Sequence, residues 1–435
     1  ITLQILQKAP EDEVPILTMG YGLSAAAKGE TFPWAFNYPA SYWSQMTSIL
    51  SYIDSQGGLK GKKIGFLYLD VGYGREPIPV LEELGPKMGF ETLLVPVAGK
   101  EMQNQSSHWL TIRKEKPDWV IMWGWGAMNP TAIKEAAKTR FPLDRFIGNW
   151  WSGAHVDTEA LGSKAKGYLA SSFTTTGTDF PAVQDVIKYV VKPGKSKTEM
   201  GMPGKVLYNR AMFNAVIIAE AITVAQKMTG KKNVTGADVR LGLENIKLDE
   251  ARLKELGLEG FTAPVIGSCA DHESGGSIFV QQWDGSDWKR ITGLIPPMTD
   301  VVQPLLTAAA ADARRPRHLR RPADAAAVRR GDVGCGRVLR PRRRDPRREL
   351  LPHRGALGRG RTRGLPAHRR PQQRPHPAGG ARGTRLDRRP PAGRRRRVPL
   401  RVRTPAFDPH VRRPRRRRVV DALVAPDRRH ANPRF

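Results

Sequence analysis

The densest cluster of side chains able to do chemistry is Cys269-Ala270-Asp271-His272-Glu273, whose four functional groups could ligate a metal or move a proton. Its spacing matches no standard metal or catalytic site, so it reads as a solvated, hydrogen-bonded loop. Gly72-Tyr73-Gly74 resembles the start of a phosphate-cradling loop, but the third glycine of G-x-G-x-x-G is absent. The chain also lacks G-x-S-x-G, a Walker loop, H-E-x-x-H and paired C-x-x-C. These readings predict no catalytic residues, no metal site, no cofactor and no enzyme. The remaining signal is aromatic. Tyr21, Tyr73, Trp125, Trp150 and Trp151 each fall in a loop that follows an apolar run. Converging at one sheet edge, they would line a cleft for an apolar or planar solute held by few polar anchors.

The elements that must position these residues recur as strand, loop and helix. Lys62-Lys63-Ile64-Gly65-Phe66-Leu67-Tyr68-Leu69 is an apolar run opened by two lysines and suits a strand buried on both faces. The loop Asp70 to Arg75 follows. A helix is expected to start with Pro77, to carry Ile78, Leu81, Leu84 and Met88 on one face, and to stop at Gly89. Further strands are expected at Val14 to Thr18, Phe32 to Asn37, Thr92 to Val97, Trp119 to Trp123 and Arg145 to Gly148. Trp43, Met46, Leu50 and Ile53 mark a helix face, and Asn129 is the expected N-cap of a helix opened by Pro130. Alternation of this kind implies an α/β fold with right-handed βαβ units and doubly wound sheets, whose ligand-side loops lie at the strand carboxyl ends. Later segments turn helical, with Val206 to Met228 expected as a long, largely buried helix and Thr235 as the cap of another. Ile278 to Trp283 and Trp288 to Ile291 then form a hairpin across Asp284-Gly285-Ser286-Asp287.

The formal charge of +31 over 435 residues suggests nucleic-acid binding until its location is considered. From Ala311 onward, 40 Arg and no Lys stand against 9 acidic residues, so this segment carries the whole excess and the body before it is neutral. The tail has no Ile, Lys, Met, Ser, Trp or Tyr, and its arginines show neither helical periodicity nor aromatic interleaving. Such a composition cannot offset backbone entropy, and Arg314 to Phe435 is expected to be disordered. Its abrupt onset suggests an out-of-frame reading of GC-rich DNA, and no nucleic-acid partner is expected. The body holds one cysteine, Cys269, so cysteine usage does not report a compartment. It contains no run of about 18 apolar residues. The chain opens at Ile1 without methionine, and its front is expected to be missing.

Asp70 followed by Tyr73-Gly74, the strand, loop and Asn-Pro helix around Trp125, and Val206-Leu207-Tyr208-Asn209 opening a long helix resemble the substrate-binding proteins of branched-chain amino-acid ABC transporters. The likeness spans roughly residues 1 to 295. It implies a two-lobed type I periplasmic-binding-protein fold that closes on a small-molecule solute and delivers it to an ABC permease of the inner membrane, hence a periplasmic location. The resemblance divides the chain into a first-lobe remnant (1–59), a second lobe (60–174), a mostly helical return to the first lobe (175–276), a crossover and final hairpin (277–310) and the tail (311–435). It implies ligand contacts from Gly20, Gly22, Tyr73, Trp125 and Trp150, to which the aromatic loop residue Tyr21 is added. Gly22 stands where the family has a threonine, and Trp150 where it has the acid that pairs with an ammonium. The expected solute is apolar or aromatic, an amino acid or related acid or amide, and these departures predict a preference for solutes that lack an α-ammonium. The alternative is a cytosolic ligand sensor of the same fold that regulates transcription.

Overall fold

A computed structural model of the chain describes residues 5, 6, 8–18 and 20–314, all within the unit Ile1–Arg343. The disorder expected for Arg314 to Phe435 therefore lies outside the described residues, apart from Arg314 itself, which ends a helix. After a short helical turn at Ala9–Asp12 the chain lays down two short strands, β1 (Ile16–Leu17) and β2 (Ala35–Phe36), paired in parallel with Ile16 opposite Ala35. Helix α1 (Tyr42–Ser55) follows, started by Ser41, whose hydroxyl accepts from the Ser44 N–H. It is buried on nearly every face.

The main sheet contains β3 (Lys63–Leu69), β4 (Glu91–Val97), β5 (Trp119–Trp123), β6 (Phe146–Gly148) and β7 (Leu169–Ser172), all parallel. Successive side chains of a strand point to opposite faces. Along β3, Ile64, Phe66 and Tyr68 enter one core cluster, whereas Leu67 and Leu69 enter another. Both faces are thus covered, as a parallel sheet requires. Among the covering helices, α2 (Ile78–Met88) and α1 lie over the first cluster; α3 (Ser106–Glu115) and α4 (Met128–Lys138) lie over the second.

Strands run in the order β4-β3-β5-β6-β7 and are extended at the β7 edge by a hairpin, described below. The chain leaves β3 outward to β4 and then crosses back to β5, so its winding reverses between β3 and β5. The carboxyl ends of those two strands flank the crevice where open α/β sheets place ligands.

The long α5 (Val206–Thr229) and α6 (Gly236–Glu244) pack together, followed by the small antiparallel pair β8 (Lys247–Leu248) and β9 (Val265–Ile266). The expected hairpin is present as β10 (Phe279–Trp283) and β11 (Trp288–Arg290), with Trp283 opposite Trp288 and β10 antiparallel to β7. Helix α7 (Thr299–Arg314), not anticipated from the sequence, inserts Val301, Val302 and Leu306 into the first cluster.

Four local expectations need correction. The segment after β3 is a single helical turn, Gly72–Arg75, rather than an open loop. Pro77 is the residue before α2 rather than its first helical position, because Gly74 to Pro77 is already wound. Asn129 lies inside α4 instead of capping it. Finally, α5 buries one stripe only: Asn209, Arg210, Phe213, Asn214, Ile217, Ala221 and Ala225 face inward while Leu207, Ile218 and Met228 are exposed. By length and composition α5 could span a membrane, yet three polar side chains on its packed face mark it as a helix that closes a protein core.

Gly74 sets the position of Tyr73. A Cβ at Gly74 would overlap the carbonyl oxygen of Leu69, a backbone atom that cannot move without shifting β3. Gly74→Ala is therefore expected to destabilise the fold by about 1–3 kcal/mol through overpacking. Urea unfolding monitored by circular dichroism checks this; an unchanged midpoint would show that the turn can relax.

Candidate functional site

At the winding reversal, one hydroxyl ties three loops together. Tyr73, on the turn after β3, donates its phenolic proton to the Gly124 carbonyl after β5 (2.9 Å) and accepts from Asn149 Nδ2 after β6 (2.7 Å). The Asn149 side-chain oxygen in turn accepts from Trp151 N and Ser152 Oγ, which fixes the short turn Trp150–Ser152. Both indoles of that turn reach the same backbone acceptor. Trp150 Nε1 donates to the Gly20 carbonyl at 2.7 Å and Trp151 Nε1 at 3.1 Å. Gly20 has φ +90°, and a Cβ there would press on the Phe173 ring at 3.1 Å, so glycine answers both constraints.

Tyr42, the first residue of α1, is the hub of the aromatic cluster. Its ring centre lies 5.6 Å from Tyr21, 5.4 Å from Tyr73, 5.5 Å from Trp123 and 5.3 Å from Trp150. The rings meet edge-on or tilted, as their quadrupoles favour. The Tyr42 hydroxyl accepts from Trp151 Nε1 at 3.0 Å.

One cation enters this cluster. Arg210 of α5 is only 3% exposed, donates from Nη2 to the Trp150 carbonyl (2.9 Å), and has its guanidinium carbon 4.7 Å from the Phe173 ring centre and 5.0 Å from that of Trp151. Its Nε and Nη1 donors have no hydrogen-bond partner, and among the described residues it makes no ion pair. Burial pulls its pKa down to about 10. The buried Asp157 carboxyl accepts from Asn129 Nδ2 (3.0 Å) and the Ala154 N–H (2.9 Å), and burial raises its pKa to about 6. Burial also raises the tyrosine phenols, Tyr21 to about 12 and Tyr42 and Tyr73 further, so all three are neutral hydroxyls. The arrangement provides aromatic faces, neutral hydroxyls and a guanidinium, the groups of a recognition site.

The family model for periplasmic binding proteins matches residues 1–287. The chain belongs to that family. Among solved structures, one described as an ABC transporter permease from the Pseudomonas fluorescens group is 39% identical, with a TM-score of 0.67 over 71% of this chain and 75% of that one. A branched-chain amino-acid ABC transporter from Thermus thermophilus with bound valine is 16% identical, with a TM-score of 0.59 over 70% of this chain and 77% of that one. A solute-binding protein from R. palustris in complex with benzoate is also 16% identical, with a TM-score of 0.53 over 67% and 74%. At such identity the last two share the fold. No curated protein sequence matches. The type I periplasmic-binding-protein fold implied by the sequence resemblance is the fold of this chain.

In this periplasmic binding protein, Gly20, Tyr21, Tyr73 and Trp150 gather around Tyr42, with Trp150 fully buried. Gly22 stands to one side. Its carbonyl accepts from Tyr42 N at 2.9 Å, and a Cβ would lie 2.8 Å from that nitrogen, so glycine here allows two backbones to approach. Trp125 is 49% exposed and rests edge-on against Trp151, 4.9 Å between ring centres, at the rim of the cluster. Sequence reading missed Tyr42, Asn149 and Arg210. A usable signal for Arg210 was present: a lone arginine on the same helical stripe as Asn209, Phe213 and Ile217. Asn129, expected as a cap, instead donates to the Trp151 carbonyl (2.8 Å) as well as to Asp157.

The Cys269 to Glu273 loop is hydrogen-bonded as expected, but buried rather than solvated at its end. His272 stacks on Phe36 (4.0 Å) and donates from Nδ1 to the Ala35 carbonyl, while Glu273 accepts from the Ser41 N–H and Ser44 Oγ, both at 2.8 Å. Among the described residues no three His, Cys, Asp or Glu side chains converge on a metal-sized site.

Asp157 makes stability depend on pH with a definite sign. Its folded pKa, about 6, lies above the ordinary aspartate value, so the native state holds the proton more tightly than the unfolded chain. That contribution is complete below about pH 4 and is lost as pH rises through 6, by about 2–3 kcal/mol in total. Thermal unfolding from pH 4 to 7 should show a falling midpoint in the wild type and a flatter profile in Asp157→Asn. Parallel profiles would assign the dependence to another group.

Proposed function

We propose that the protein is the solute-binding component of an ABC importer, working outside the cytoplasm, in the periplasm, and delivering its cargo to an inner-membrane permease. The observation that carries this reading is the meeting of two sets of segments at one aromatic cluster. The loops after β3, β5 and β6 supply Tyr73, Trp125, Trp150 and Trp151; the Gly20 to Gly22 segment, the start of α1 and α5 supply the opposing side. Residues 60–174, with the hairpin added to their sheet, form one lobe in this reading, and the flanking segments form the other. Gly20, Tyr21, Gly22, Tyr73, Trp125 and Trp150 belong to the ligand site, Trp150 with Tyr42 as its floor and Trp125 as its rim.

Closure, not bond chemistry, is the working step. Bonds such as those from the two indoles to Gly20 join the sides, and a solute that contacts both favours the closed state by its differential affinity. Similar folds hold valine and benzoate, two small carboxylates with apolar bodies. Aromatic lining and the tryptophan in place of an acid support an apolar or aromatic solute. No observation favours the cytosolic sensor.

Isothermal titration with leucine, valine, benzoate and 4-methyl-2-oxopentanoate tests this reading. At least one should bind saturably, with the keto acid ahead of leucine. Trp125→Ala, at the exposed rim, should weaken the tightest of them about fivefold or more, near 1 kcal/mol, at an unchanged unfolding midpoint. Absence of binding across the panel would remove the proposal.

A further inference from the structure

We infer that Arg210 is the anchor for an acidic group of the solute, and that the site therefore selects small organic monocarboxylates with an apolar or aromatic body. The inference rests on the solute-binding reading above and deepens it. A buried guanidinium ordinarily has an acceptor for each edge and a carboxylate partner, because an unpaired charge is costly to desolvate. Arg210 has neither. One donor goes to the Trp150 carbonyl, and the Nε and Nη1 donors meet nothing. Its guanidinium carbon lies over the Phe173 and Trp151 rings. Nε and Nη1 lie on different edges of the guanidinium, so the paired N–H···O geometry that recognises a carboxylate remains on the one edge that combines one of them with the second hydrogen of Nη2.

The groups around Arg210 are consistent with an incoming anion. Tyr42 and Tyr73 are neutral hydroxyls, and Asp157, the nearby buried acid, interacts electrostatically with Arg210 but holds its own two N–H donors and is not in ion-pair contact with it. The aromatic cluster begins at the same place, since Trp150 and Phe173 meet edge-on at 5.3 Å beside the guanidinium and Tyr42 lies tilted against Trp150. A solute anchored by its carboxylate at Arg210 would extend an apolar body along those rings.

The experiment compares each acid with its uncharged amide: benzoate with benzamide, and 4-methylpentanoate with 4-methylpentanamide, by isothermal titration of the full chain. The wild type is expected to prefer each acid by more than tenfold. Arg210→Gln should bring the ratio close to one by weakening the acid much more than the amide, and Arg210→Lys should restore part of the preference. A wild type that binds acid and amide equally overturns the inference without any variant, so a variant that fails to fold does not protect it. Equal loss of acid and amide in Arg210→Gln overturns it too, assigning Arg210 to support of the Trp150 loop. Binding of leucine or valine alone, unchanged in Arg210→Gln, overturns it while the solute-binding reading stands; no binding of any probe ends both.

Discussion

A parallel sheet has to be covered on both faces, and most of this molecule follows from that constraint. The β3 side chains enter two separate cores, which commits the chain to helices above and below and to crossovers that reverse direction beside β3. The reversal leaves strand ends uncovered between β3 and β5, where backbone groups need partners. Tyr73 meets that need with a single hydroxyl shared between Gly124 and Asn149. The site is thus located by topology before any ligand-specific residue is considered.

Features with strong local signals were legible in the sequence. The runs Lys63–Leu69 and Trp119–Trp123 are too apolar for any exposed element, and the Asp284 to Asp287 turn between two tryptophan-bearing strands fixes the hairpin register, with Trp283 opposite Trp288. Leu169–Ser172 escaped notice because Ala170, Ser171 and Ser172 give no apolar run. The strand is specified by its neighbours instead, β6 and β10 on either side and Gln45, which donates to Ser171 Oγ at 2.6 Å. Helix Thr299–Arg314 was hidden by the change in composition at Ala311, which it crosses.

The site was legible only in part, for a similar reason. That Tyr21, Tyr73 and Trp150 share one aromatic cluster could be read from their place after strands. Tyr42 and Arg210 lie on helices, where a tyrosine or an arginine on a buried stripe is ordinarily a packing residue, and only tertiary contacts distinguish them. The Arg210 environment also illustrates a balance of costs. Ring faces offset part of the desolvation of a guanidinium, by about 0.5–2 kcal/mol each, which is less than the cost of burying the charge.

The double hydrogen bond to Gly20 has a consequence of a different kind. A carbonyl oxygen has two lone pairs, and both indoles occupy those of Gly20. The neighbouring carbonyls are engaged as well: Gly124 by Tyr73 and Ser152, Trp150 by Arg210, Trp151 by Asn129. Gly20 and Gly124 thus receive two donors each and Trp150 and Trp151 one each, while unmatched donors persist on Arg210. At the Gly20 and Gly124 carbonyls a guest N–H would compete with a donor already in place, whereas a guest lone pair at Arg210 displaces nothing. The cluster's internal bonding therefore acts in the same direction as the Arg210 charge, each disfavouring a cationic group placed beside it.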